Sequence, residues 1–148
     1  MLGGLQSAAA KFRVKILRFD ARTAEDIEAG FATMKGQRAE AVIVANDAFM
    51  VGQRQRIAEL GVKHRLPTMF SYREHVVAGG LMSYGENLSD IYRQTAVYVD
   101  KILKGAKPGD LPFEQPTKLQ LTINRKTAET LKLTIPQELL LRADEMIE

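Results

Sequence analysis

The two histidines, His64 and His75, are the first residues to test for chemistry. They stand eleven positions apart, unlike the i, i+4 pair of a helical metal site, and each reads as a surface side chain. Ser83 lies in Leu81-Met82-Ser83-Tyr84-Gly85, a near miss to the nucleophile elbow G-x-S-x-G. Leu81 replaces the first glycine and would crowd the strained turn, which argues against an esterase. The acidic residues Asp47, Glu74, Glu86 and Asp90 have no spacing that names a reaction. Neither phosphate-cradling glycine pattern occurs. With no cysteine, disulfides, thiolate zinc sites and a cysteine nucleophile are excluded. The expectation is no enzyme, no cofactor and no metal.

A different set stands out. Asn46-Asp47, Ser71-Tyr72-Arg73-Glu74 and Ser83-Tyr84-Gly85 each sit where an apolar, strand-like run ends. In open parallel α/β sheets, ligands bind outside the carboxyl ends of the strands. Helix N-termini there present unpaired N–H groups to a carboxylate. Tyr72 and Tyr84 could add flat, hydrogen-bonding walls around a small ligand. The same residues also suit ordinary turns and helix caps.

The elements that must position them alternate strand and helix. Residues 5–12 read as the tail of a helix and 14–19 as a strand. Thr23 opens a helix, with Asp26 three residues on approximating a capping box and Gly36 at the stop. Residues 41–45 are apolar without alternation, which predicts a strand buried on both faces. A helix after Asn46-Asp47 turns Met50, Ile57 and Leu60 inward and places Gly61 at its C-cap. Residues 67–70 read as a strand, 73–77 as a short helix ending at Gly79-Gly80, and 81–84 as a fourth strand. This order predicts an α/β fold with a parallel, helix-flanked sheet.

Asn87 or Ser89 caps the strongest helix, whose apolar stripe is Leu88, Ile91, Thr95, Tyr98, Val99, Ile102 and Leu103. Gly105 and Pro108 stop it. A loop fills 107–116. Residues 118–124 alternate as a strand, with Leu119, Leu121 and Ile123 on one face. Asn124 caps a short helix to Leu131, and Pro136 starts the last one. The organisation expected is a partial α/β lobe over 1–85, then a crossover helix, returning strand and C-terminal helices over 86–148.

The net charge is +3 and the hydrophobic fraction 45%. The basic residues are scattered and lack aromatic interleaving, so no nucleic acid is expected. No apolar run approaches the ~20 residues a membrane span needs. The start lacks the charged and apolar regions of a signal peptide, so the chain as written would stay in the cytoplasm.

Several long runs resemble one family. They are Ala78-Gly79-Gly80-Leu81-Met82-Ser83-Tyr84-Gly85, the stretch Tyr98-Val99-Asp100-Lys101-Ile102-Leu103-Lys104-Gly105-Ala106-Lys107-Pro108, then Asp110-Leu111-Pro112 and Glu114-Gln115-Pro116-Thr117-Lys118. Ile123-Asn124, Lys126-Thr127-Ala128 and the ending Arg142-Ala143-Asp144-Glu145 continue it. The chain resembles the C-terminal half of ABC-transporter substrate-binding proteins of the tryptophan and tyrosine type, with the type I periplasmic-binding-protein fold. The likeness runs from about Phe12 to Glu148.

The resemblance implies two lobes that close on a small organic solute such as an amino acid, and an ABC importer permease as membrane partner. It implies a periplasmic or membrane-anchored location. Carried over residue by residue, Asn46, Asp47 and Ser71 would hydrogen-bond the solute, and Tyr72 and Tyr84 would pack on it. The first lobe of the family has no counterpart here. The helix over Leu88–Leu103 normally packs on that lobe, so its stripe would be exposed and invite a homodimer. Glu86 stands where the family often has Pro, and Lys132 where it often has Gly. Rival readings are a cytoplasmic ligand-sensing domain of the same fold and an α/β hydrolase-like enzyme.

Overall fold

The computed structural model describes residues 2–112 and 118–148. The end of the loop expected over 107–116, and the resemblance run at Glu114–Thr117, lie outside the described residues. The chain divides into two units, residues 1–40 and 41–148.

The first unit carries α1 (Leu2–Phe12) and α2 (Ala24–Gly36). The capping box forms as its residue types dictate. Thr23 Oγ1 accepts the Asp26 N–H at 3.1 Å, and Asp26 Oδ2 accepts the Thr23 N–H at 3.0 Å. The backbone donors of Arg22 and Thr23 hold the Asp26 carboxyl below its ordinary range. Gly36 is the last helical residue, but the left-handed residue beyond it is Arg38, with φ 61°.

The strand expected over 14–19 does not form. The Val14 N–H turns back to the Ala9 carbonyl at 2.9 Å, and Arg13 takes φ 55°, so the segment begins as the stop of α1. Alternating residue types favour a pleated surface only where a neighbouring strand supplies the ladder. The Phe19 ring instead lies against Gly30 of α2, where a Cβ would come within 2.7 Å of Phe19 Cδ1.

The second unit is a five-stranded sheet in the order β1 (Val42–Ile43), β2 (Thr68–Phe70), β3 (Met82–Gly85), β4 (Gln120–Asn124) and β5 (Glu145–Ile147). The β1–β2, β2–β3 and β4–β5 pairs are parallel, and β3–β4 is antiparallel. The fold is therefore α/β with a mostly parallel, helix-flanked sheet. β1 departs from the expected double burial: Val42 is buried, but Ile43 is 58% exposed. β5 was not foreseen.

Between β1 and β2 the single expected helix is two, α3 (Ala48–Gly52) and α4 (Arg54–His64), broken at Gln53. Gly61 lies inside α4, and Arg65 takes the left-handed cap position at φ 53°. Gly61 serves packing instead, since a Cβ there would meet Thr68 Cγ2 at 2.7 Å. α5 (Arg73–Val77) joins β2 to β3. The large residues of this unit with the least exposure are Ile57, Leu66, Val76 and Ile123.

α6 (Leu88–Leu103) is capped by Asn87, whose Oδ1 accepts the Ser89 N–H at 2.8 Å. No residue of this helix is buried, and its stripe is open, with Val99 at 49% and Leu103 at 81% exposure. In β4, Leu121 and Ile123 are buried as expected, but Leu119 precedes the strand and is exposed. α7 (Arg125–Thr130) takes its cap from Asn124, whose Oδ1 accepts the Thr127 N–H at 2.8 Å. Lys132 follows it with φ 57°, a left-handed position better suited to glycine. α8 (Gln137–Arg142) starts after Pro136.

Candidate functional site

Three parallel strands end on one edge of the sheet. The Val44 N–H reaches the Met69 carbonyl at 3.0 Å, and Phe70 pairs with Ser83. Asn46, the Ser71-Tyr72 pair and the Tyr84-Gly85 pair therefore leave neighbouring strands on the same side. Adjacent strands lie about 4.8 Å apart, so the three ends span roughly 10 Å, the scale of an amino acid. The antiparallel turn of β4 brings its start, Gln120, and the start of β5, Glu145, to that edge as well.

The candidates differ in what they have left to offer. Asn46 and Asp47 are exposed, but Asp47 Oδ1 accepts the Met50 N–H at 2.8 Å and so caps α3. Ser71 and Tyr72 are partly buried. Tyr72 precedes α5 without a side-chain cap. Tyr84 is 48% exposed and alternates away from buried Ser83, so its ring stands on the other face of the strand. Ser83 is only 1% exposed, which gives no open nucleophile for the esterase alternative.

The Ser71 loop sits directly on the end of β3. A Cβ at Gly85 would lie 2.2 Å from the Ser71 carbonyl oxygen, so only glycine permits this approach. Phe70, Ser83, Thr122 and Glu145 form one row across four strands, and the small middle two are each 1% exposed. α5 packs over β3 and β4. Its Val76 carbonyl accepts the Asn124 Nδ2–H at 3.1 Å, and its Arg73 reaches β5.

Sequence reasoning missed two features here. Arg73 Nη2 donates to Glu145 Oε1 at 2.6 Å, and its Nε donates to the second carboxylate oxygen. This forked pair keeps the Glu145 carboxyl below its usual range, first through the hydrogen bonds and then through charge. Glu145 in turn raises Arg73. The partners are 72 residues apart, so no local pattern announces them. His75 is the second miss. It is not a surface residue but 3% exposed, stacked on Phe70 with ring centroids 4.5 Å apart. Neither ring nitrogen has a partner at hydrogen-bonding distance. Burial pushes its pKa down, against weaker pulls upward from the Tyr72 and Met50 carbonyls.

Among the described residues no cluster of side chains suits a metal ion, and no helix is long and apolar enough to cross a membrane. The model of a family of ABC transporter substrate binding proteins matches residues 3–147. The chain belongs to that family. Its members are binding proteins and not enzymes.

Two solved structures share the fold closely. One is a conserved domain protein from Vibrio cholerae, 26% identical with a TM-score of 0.89, covering 98% of this chain and 49% of its own. The other is an ABC domain in complex with L-Trp from Streptococcus pneumonia, 25% identical with a TM-score of 0.87, covering 99% and 50%. A ligand-free, open substrate binding protein with adhesive properties from Clostridium difficile shares the fold at 17% identity and a TM-score of 0.68. The chain thus spans about half the length of these structures. No curated protein matches it.

Proposed function

We propose that the chain supplies one wall of a solute-binding cleft, with an amino acid or similar small organic molecule as the solute. The observation that carries the reading is the single sheet edge shared by Asn46, the Ser71-Tyr72 loop and Tyr84. Asn46 and Ser71 would hydrogen-bond the solute, and Tyr72 and Tyr84 would pack on it. Asp47 would act mainly by holding α3. Family membership and the L-Trp complex of the pneumococcal relative support this assignment. In this reading residues 1–85 supply the α/β wall, and 86–148 supply the crossover helix, return strand and C-terminal helices. The solute would be delivered to an ABC importer permease on the extracytoplasmic side. A second copy is the occupant to test first for the open α6 stripe, by solution mass.

The test is a titration of the isotope-labelled chain with L-tryptophan and L-tyrosine, followed by NMR. Saturable shifts should centre on Ser71, Tyr72 and Tyr84, and Tyr84→Ala should weaken them at least about fivefold, the loss of one aromatic contact. Shifts confined to other residues, or none, refute the site. An affinity of about 1 μM or tighter would refute the notion that this chain provides one wall alone.

A further inference from the structure

One close backbone approach and a series of hydrogen bonds at this sheet edge form a closed circuit. The Ser71 carbonyl rests on Gly85. Two residues on, Asn87 Nδ2 donates to Gln120 Oε1 at 3.0 Å while its Oδ1 caps α6. The neighbouring Leu121 N–H donates to Asp144 Oδ2 at 2.8 Å, and the Asp144 N–H returns to the Leu121 carbonyl at 2.9 Å. Glu145 then takes the forked contact from Arg73, two residues after Ser71. Each tie is a short step along the backbone from the next.

We infer that Arg73 and Glu145 are positioning residues, closing a ring that holds the Ser71-Tyr72 loop and the entry of α6 as one body. This assignment to solute binding rests on the cleft reading above; the holding of the loop does not. The need for such a tie is visible locally. α5 has five residues and no side-chain cap, too short to hold its own first turn firmly. β5 is an edge strand of three residues. Neither would fix the loop alone, and the forked guanidinium joins them with a defined orientation that a lysine would lack. Both side chains are about two-fifths exposed, so the pair's effect is local order more than global stability.

The experiment is amide hydrogen exchange on Arg73→Gln, Glu145→Gln and the double variant. Each single change should speed exchange at the His75 and Ala78 amides of the α5 region about threefold to fivefold. The double variant should add nothing further, because both changes cut the same tie. The α4 amides and the melting temperature should hardly move. Unchanged exchange in the singles, or effects that multiply in the double, overturns the proposal. In the unsubstituted chain the Arg73 Nε–H signal should follow the titration of Glu145, with Glu74 the other carboxylate acting on Arg73. An Arg73 signal indifferent to that titration also overturns it. L-tryptophan titrations of the same variants separate the two readings. Faster exchange with no response to tryptophan in any form sinks the solute assignment and leaves the ring standing. If tryptophan binds, the singles should weaken its shifts at Ser71 and Tyr72 about threefold.

Discussion

Replacing Gly85 by alanine is the most direct test of how the loop and β3 meet. The added Cβ would sit 2.2 Å from the Ser71 carbonyl oxygen, 3.0 Å from its carbon and 3.3 Å from its Cα. Real Cβ atoms essentially never come closer than 3.0 Å to another heavy atom, so most of an ångström must be found. All three obstructing atoms are backbone, so no rotamer change relieves the clash. The Ser71-Tyr72 loop is also tied at Arg73. Overpacking of this kind costs about 1–3 kcal/mol, and rigid backbone on both sides argues for the upper end. Losing glycine's freedom in the unfolded chain returns about 0.5 kcal/mol. The net loss should be about 2 kcal/mol, read in urea unfolding as a midpoint lowered by about 1 M. Gly52→Ala is the control: its Cβ would meet nothing within 4 Å, at the end of α3. It should be neutral or mildly stabilising. If Gly85→Ala cost no more than the control, the loop would not be pressed on the strand and the ring would lose its first link.

Two further outcomes follow from burial. Ile123→Ala, at 0% exposure in β4, should lose about 2–4 kcal/mol by urea unfolding. His75 is neutral when buried, and its pKa is pushed down from 6.5. As pH falls below 6.5 the unfolded chain takes up the proton first, so stability must fall through that window. His75→Phe keeps an aromatic on Phe70 and should flatten the stability profile as pH falls below 6.5; an unaltered slope would place the titration elsewhere.

The sequence was most readable where a local rule closes within a few residues. Thr23 with Asp26, Asn87 before α6 and Asn124 before α7 all cap as their types suggest. The strand-end residues were legible because α/β order fixes which strand ends share an edge. The failures are the non-local terms. Residues 14–19 have strand-like alternation but no ladder. Gly61 looked like a helix stop, yet its use is to admit Thr68. β5 is three residues with an acidic start, too short to show a period, and it forms because Asp144 pairs with Leu121. His75 has no apolar character to betray its burial; the Phe70 ring and the α5 backbone decide it.

The antiparallel placement of β4 has a consequence for synthesis. The edge that gathers Asn46, Ser71 and Tyr84 cannot be sealed by β1–β3 alone, because its last ties come from Asp144 and Glu145. A nascent chain carrying residues only as far as α6 has its first three strands and exposes their flank. The late residues then have to find partners made long before, a search that long sequence separation slows. Until residues 120–124 have emerged, the free side of β3 is an open strand edge for a chaperone or a neighbouring chain to meet.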